Sequence, residues 1–167
     1  MTEIASSMVE VFLFARVDGA ARYLMLKRSH TAYMPGVWQG VTGRLEDGEN
    51  AEEAALREIG EETGISPTEL WRVNHVSVFY AAQSHRVQCV PTFAARCPPG
   101  AKPKLSAEHD AWEWVDYDGA SQRLMWSTSR RALEVCQAEI AGVEEPNLWL
   151  RLIPPPERAM PLHEGPI

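Results

Sequence analysis

Residues 43–65 read GRLEDGENAEEAALREIGEETGI, from Gly43 to Ile65. Asn50 followed by Glu53 has the form of a helix N-cap with its capping-box partner. Gly64 suits the left-handed position just past a helix end. The spacing therefore predicts a helix over Asn50–Thr63. At about 100° per residue, Glu58, Glu61 and Glu62 fall on one face. Leu56 and Ile59 lie on a neighbouring face that can pack on a sheet. Residues 49–62 hold six Glu and one basic residue, Arg57. Two of those Glu sit in the last turn, where the helix dipole disfavours anions. Such concentrated repulsion calls for a partner, and hard divalent cations, Mg²⁺ or Mn²⁺, take carboxylate oxygens.

Outward from this segment, the chain reads as a mixed α/β domain with few elements. Val9–Ala15 and Arg22–Arg28 read as strands joined by a turn at Asp18-Gly19, a hairpin. Ser29–Gly36 is a loop and Val37–Thr42 a short strand. Strands are expected at Arg72–Ala82, Arg86–Arg96 and Asp110–Val115, and a helix at Ser129–Ala141. Residues 1–7 read as a flexible start. Six of the twelve prolines fall in the last 22 residues, so the division is a domain over 1–150 and a Pro-rich tail over 151–167.

The chain has 167 residues, enough for one domain with its own core. Its net charge of −7 lacks the cationic footprint of nonspecific nucleic-acid binding. A polyanionic substrate stays open if a divalent cation mediates. Three cysteines, Cys89, Cys97 and Cys136, form no CxxC pair and point to a reducing compartment, the cytoplasm. No stretch approaches the length of a membrane span. Neither GxGxxG nor GxxxxGK[ST] occurs.

The 43–65 segment resembles the signature of the Nudix hydrolases, G-x5-E-x7-R-E-U-x-E-E-x-G-U, with U a bulky aliphatic residue. Gly43, Glu49, Arg57, Glu58, Ile59, Glu61, Glu62, Gly64 and Ile65 fill every defined position. The resemblance implies an α/β/α sandwich on a mixed β-sheet. It also implies Mg²⁺-dependent hydrolysis of a phosphoanhydride in a nucleoside diphosphate linked to another group. By the same resemblance Glu58 and Glu62 are the main metal ligands and Glu61 a third helix carboxylate. Arg57 steadies the carboxylates with Glu49. Gly43 allows close backbone approach, and the Thr42 carbonyl reaches a metal. The catalytic base differs among branches and is left open.

Leu24–Arg28, Val37–Gly43, Ala107–Trp114 and Trp126-Ser127 resemble the bacterial dihydroneopterin triphosphate pyrophosphatase branch. That likeness implies Glu108 as a further metal ligand and Arg28, Thr42 and Ser127 as substrate contacts. Trp38, close to the signature, is a stacking candidate. The expected function is cleavage of a nucleoside or pterin triphosphate to the monophosphate and pyrophosphate. Dinucleoside polyphosphate, nucleotide-sugar or ADP-ribose hydrolysis is the alternative, Tyr80 being a weak sign of the first. A nucleotide-binding sensor without turnover is the alternative of another class. Dimers are common in the family, so a homodimer is possible. Trp112 and Trp114 share a strand face and are expected in the core. His30, His75, His85, His109 and His163 show no metal-ligand spacing, and His109 lies beside Glu108.

Overall fold

The computed structural model describes residues 3–155. The expected α/β class is what forms: among the described residues, one mixed nine-stranded sheet carries helices on both faces. Strand β2 (Met8–Val17) is apolar at nearly every position because both of its faces are covered. Val9, Val11 and Leu13 point into a core under helix α1 (Ala51–Thr63). Phe12 and Phe14 point the other way, into a core under helix α3 (Ser127–Cys136). The two-residue period of one strand thus builds both halves of the sandwich.

Strand β3 (Ala20–Arg28) returns antiparallel to β2, but the two pair only from Phe14↔Tyr23 to Val17↔Ala20. Beyond that they part. Strand β4 (Trp38–Gln39) pairs with β3 and strand β5 (Val41–Arg44) with β2, so the segment fills the fork. The single strand expected over Val37–Thr42 is split at Gly40. A Cβ there would stand 2.6 Å from the Val11 carbonyl oxygen, so the chain bends where only glycine fits.

On the other edge of β2, strand β7 (Arg86–Arg96) runs parallel, from Glu10↔Thr92 to Phe14↔Arg96. Strand β6 (Glu69–Ala81) pairs antiparallel with β7. It starts earlier than the expected Arg72, because Leu70 and Trp71 are core residues. Strand β8 (His109–Val115) pairs with β3.

Several elements depart from expectation. The start of the chain is not loose throughout: strand β1 (Glu3–Ala5) pairs parallel with β7. Helix α2 (Tyr117–Arg123) was not foreseen, being only seven residues long and capped by Asp116. The helix expected over Ser129–Ala141 starts earlier, at Ser127, and ends at Cys136. A π-helical turn then covers Gln137–Ala141. A 3-10 turn (Leu148–Leu150) leads into strand β9 (Arg151–Ile153), which pairs with β6, so the first tail residues join the sheet. The rest of the Pro-rich tail from residue 156, with His163, lies outside the described residues. Trp114 packs on the α1 core, but Trp112 remains 37% exposed and is not a core residue.

Candidate active site

Helix α1 forms as its ends dictate. The Asn50 side chain accepts from the Glu52 and Glu53 amides, and Glu53 accepts from the Asn50 amide. Gly64 closes the helix with φ 63°. Ala54, Ala55 and Ile59 are buried against the sheet. That orientation brings Glu58 and Glu62 to the fork between β2 and β3.

Gly43 meets Glu58 there. A Cβ on Gly43 would lie 1.9 Å from the Glu58 carboxyl carbon, so the lack of a side chain lets the carboxylate reach the strand. Glu62, one turn on, is only 3% exposed. The Thr42 amide donates to it. Burial, then the charges of Glu58 and Glu108, push its carboxyl up to about 9, while Arg28 and the Thr42 amide oppose the rise. Glu58 is also raised, first by burial, with Arg57 opposing.

Arg57 organises the outer side of this cluster. Its Nε and Nη2 donate to the two oxygens of Glu49 at 2.8 and 2.9 Å. Its Nη1 donates to Glu58 at 2.8 Å and to Glu61 at 3.2 Å, and Nη2 also donates to the Arg44 carbonyl. One planar guanidinium therefore ties the loop to the helix in fixed geometry. It holds the Glu49 carboxyl below the usual carboxylate range, chiefly by hydrogen bonding.

His109, at the start of β8, is 4% exposed and faces Glu62. Its Nδ1 stands 3.9 Å from Glu62 Oε2, too far for a hydrogen bond, and both atoms lack a partner. Burial and Arg28 depress the imidazole, with Glu108 and Asp110 opposing, and burial raises Glu62, so both shifts disfavour an ion pair between them. Gln39 Nε2 donates to Thr42 Oγ1 at 3.1 Å and lies 3.4 Å from His109 Nε2. Arg28 is anchored by donation from its Nε to the Tyr33 carbonyl.

The fold thus brings together Glu49, Arg57, Glu58, Glu61, Glu62, Thr42, Arg28 and Glu108, all anticipated from the sequence. Two candidates stand apart from this carboxylate cluster. Trp38 packs against the α3 core, with the Arg123 guanidinium 5.6 Å from its ring centroid. Ser127 opens α3, the helix on the opposite face from α1. Sequence reasoning missed Gln39, and it undervalued His109. It also missed Glu10, a buried carboxyl on β2 that accepts a hydrogen bond from Ser129. The available signal was a lone charge inside the apolar run Val9–Ala15.

Among the described residues no three His, Cys, Asp or Glu side chains already form a metal cage. The donor chemistry nonetheless fits a hard dication. The carboxylates of Glu58, Glu61, Glu62 and Glu108 offer hard oxygen donors, Glu62 Oε2 is buried without a partner among the described residues, and its charged form is disfavoured by burial and by like charges. A cation reverses that last effect.

The family model described as NUDIX domain matches residues 7–136. An octanoyltransferase of Myxococcus xanthus is 39% identical over 116 residues, covering 68% of this chain but 32% of that protein. The chain therefore spans about a third of that relative's length. A dihydroneopterin triphosphate diphosphatase of Escherichia coli (strain K12) is 27% identical over 139 residues, 75% of this chain and 89% of that one. In fold, a C. elegans Ap4A hydrolase binary complex superposes with a TM-score of 0.70 at 22% identity, covering 83% of this chain and 100% of its own.

Proposed function

The chain belongs to the Nudix family of hydrolases, and on that premise we propose that it is a Mg²⁺-dependent pyrophosphohydrolase of a nucleoside or pterin triphosphate. The observation that carries this reading is the pairing of Glu58 with buried Glu62 at the fork. Glu108 and Arg28 act electrostatically on the same carboxylate.

A triphosphate and this cluster are both anionic, so neither accepts the other without counter-charge. Glu58, Glu61, Glu62, Glu108 and the Thr42 carbonyl are the oxygens that would hold Mg²⁺ (or Mn²⁺). The ion supplies Lewis acidity toward the phosphoryl oxygens and lowers the cost of deprotonating water. The protein's own part is positioning. Arg57 fixes Glu49, Glu58 and Glu61 relative to the strand. Gly43 leaves room for Glu58. Arg28 brings a fixed positive charge to the site for the phosphates. Water attacks phosphorus, the α–β anhydride bond breaks, pyrophosphate leaves, and a cluster carboxylate takes the water proton.

The Escherichia coli relative named for dihydroneopterin triphosphate supports a triphosphate substrate. Hydrolysis of a dinucleoside polyphosphate is the second reading. Its support is the fold neighbour named as an Ap4A hydrolase and Tyr80, 56% exposed near the β6–β7 turn. A reducing, cytoplasmic setting fits three free cysteines, two of them buried.

The test is a hydrolysis panel with Mg²⁺ and an EDTA control. It spans dihydroneopterin triphosphate, NTPs, dNTPs, ADP-ribose, nucleotide sugars and diadenosine polyphosphates. Metal-dependent turnover of triphosphates above the other classes is expected. Preferred turnover of another class replaces the substrate, and binding without turnover across the panel replaces the enzyme by a sensor.

A further inference from the structure

Glu10 lies outside the catalytic cluster, and that cluster gives it no task. It stands on the α3 face of β2, two residues before Phe12 and four before Phe14. It is 5% exposed, and a carboxyl so placed is costly unless something needs it there. Among the described residues, one side-chain hydrogen bond, from Ser129, serves it. A carboxylate has room for several donors, so most of its accepting capacity is unused.

Its neighbours are also incompletely satisfied. Glu10 pairs with Thr92 on β7, and Thr92 shares its strand face with Val90, which pairs with Ser77 on β6. Thr92 Oγ1 and Ser77 Oγ are buried and, among the described residues, have no hydrogen-bond partner. Three adjacent strands thus present a carboxyl and two idle hydroxyls on one face. Trp126, 55% exposed, is the N-cap residue of α3, three residues before Ser129. On the other edge of β2, Glu10 pairs with Thr42, whose amide donates to Glu62. The strip is therefore one strand away from the catalytic carboxylates.

We propose that Glu10 is a specificity-determining residue that reads the head group of the substrate through a pair of N–H donors. The inference rests on the reading of the chain as a triphosphate pyrophosphohydrolase and narrows it to a 2-amino-4-oxopyrimidine head group, the unit shared by guanine and pterin rings. That unit presents a ring N–H beside an exocyclic amino group, and two carboxylate oxygens accept both in parallel. Adenine and cytosine place an acceptor beside the amino group, which a carboxylate repels. Uracil and thymine offer a single N–H between two carbonyls. The Thr92 and Ser77 hydroxyls can serve the ring oxygen and nitrogens.

The experiment compares GTP, ITP and ATP as substrates of the wild type and of Glu10→Gln. ITP lacks only the exocyclic amino group of GTP. Calorimetric binding of the corresponding non-hydrolysable α,β-methylene analogues runs alongside. The wild type should prefer GTP over ITP by about tenfold or more, and Glu10→Gln should narrow the ratio to within about threefold. Glutamine is isosteric, and its folding is checked by tryptophan fluorescence. Equal use of GTP and ITP by the wild type overturns the proposal, as does an unchanged ratio in the variant. If no triphosphate is hydrolysed but the analogues bind with a guanine preference that needs Glu10, the recognition stands and the pyrophosphohydrolase reading falls. Binding of none of the analogues overturns the head-group proposal, and the pyrophosphohydrolase reading falls with it when dihydroneopterin triphosphate is not hydrolysed either.

Discussion

Gly43 and Glu58 share a space that holds only one side chain: a Cβ on Gly43 would sit 1.9 Å from the Glu58 carboxyl carbon and 2.0 Å from its Oε1. Even a methyl group must therefore displace the carboxylate. We expect Gly43→Ala to lower kcat by about 10²-fold or more, as for an ångström-scale misplacement of a reacting constellation. The backbone at Gly43 has no positive φ, so the fold should survive. Steady-state kinetics with a thermal melt checks this. Near wild-type kcat would show that Glu58 is not needed in its present position.

Glu62→Gln replaces an ionisable carboxyl in a buried site and keeps its volume. Activity should fall by about 10²-fold or more, on the scale of losing one preorganised electrostatic group. The variant should remain folded, which circular dichroism and a melt would establish. An unimpaired Glu62→Gln enzyme would remove Glu62 from the machinery.

Stability should depend on pH in a way that metal alters. The native carboxyls of Glu62 and Glu10 are raised to about 9 and about 7 from an ordinary 4.5. Raised values mean that the native state holds a proton the unfolded chain releases. Their contribution to stability is complete below about pH 4.5 and is lost as pH rises, through about 7 for Glu10 and about 9 for Glu62. In EDTA, urea midpoints should fall across that window. Glu62→Gln and Glu10→Gln should each flatten part of the fall, while saturating Mg²⁺ should correct only the part due to Glu62. A metal-free midpoint that rises from about pH 5 to pH 9 would contradict the assigned burial.

Arg57→Lys keeps the charge but loses the planar fork that serves Glu49, Glu58, Glu61 and the Arg44 carbonyl. Activity or metal affinity should fall by about 10- to 100-fold, the scale of losing a group that orients metal ligands. Titration of activity against Mg²⁺ would separate the two effects. A variant with wild-type metal dependence and wild-type kcat would leave Arg57 as a surface ion pair only.

Much of this site was legible because its requirements are local. Asn50, Glu53 and Gly64 mark the helix ends, and the spacing of Glu58, Glu61 and Glu62 fixes their shared face. Arg57 and Glu49 are eight residues apart, and the cap geometry brings them together. The fork was not legible, because the break at Gly40 depends on the Val11 carbonyl, a residue far away in the chain. The parts played by His109 and Gln39 were not legible for the same reason: only the pairing of β8 and β4 with β3 delivers them to Glu62 and Thr42. Short elements such as α2 and β9 carry too few residues to show a period and are set by tertiary contacts. Glu10 was visible as an exception to an apolar run, but its meaning depends on which face of the sheet it takes.

The most direct measurement is product analysis. Wild-type protein and Glu62→Gln are incubated with dihydroneopterin triphosphate and with GTP, in Mg²⁺ or in EDTA, and the products are separated by chromatography. Monophosphate and pyrophosphate should appear only with wild-type protein and Mg²⁺. Release of inorganic phosphate with a diphosphate, or turnover that survives both EDTA and Glu62→Gln, would contradict a metal-dependent pyrophosphohydrolase built on the α1 carboxylates.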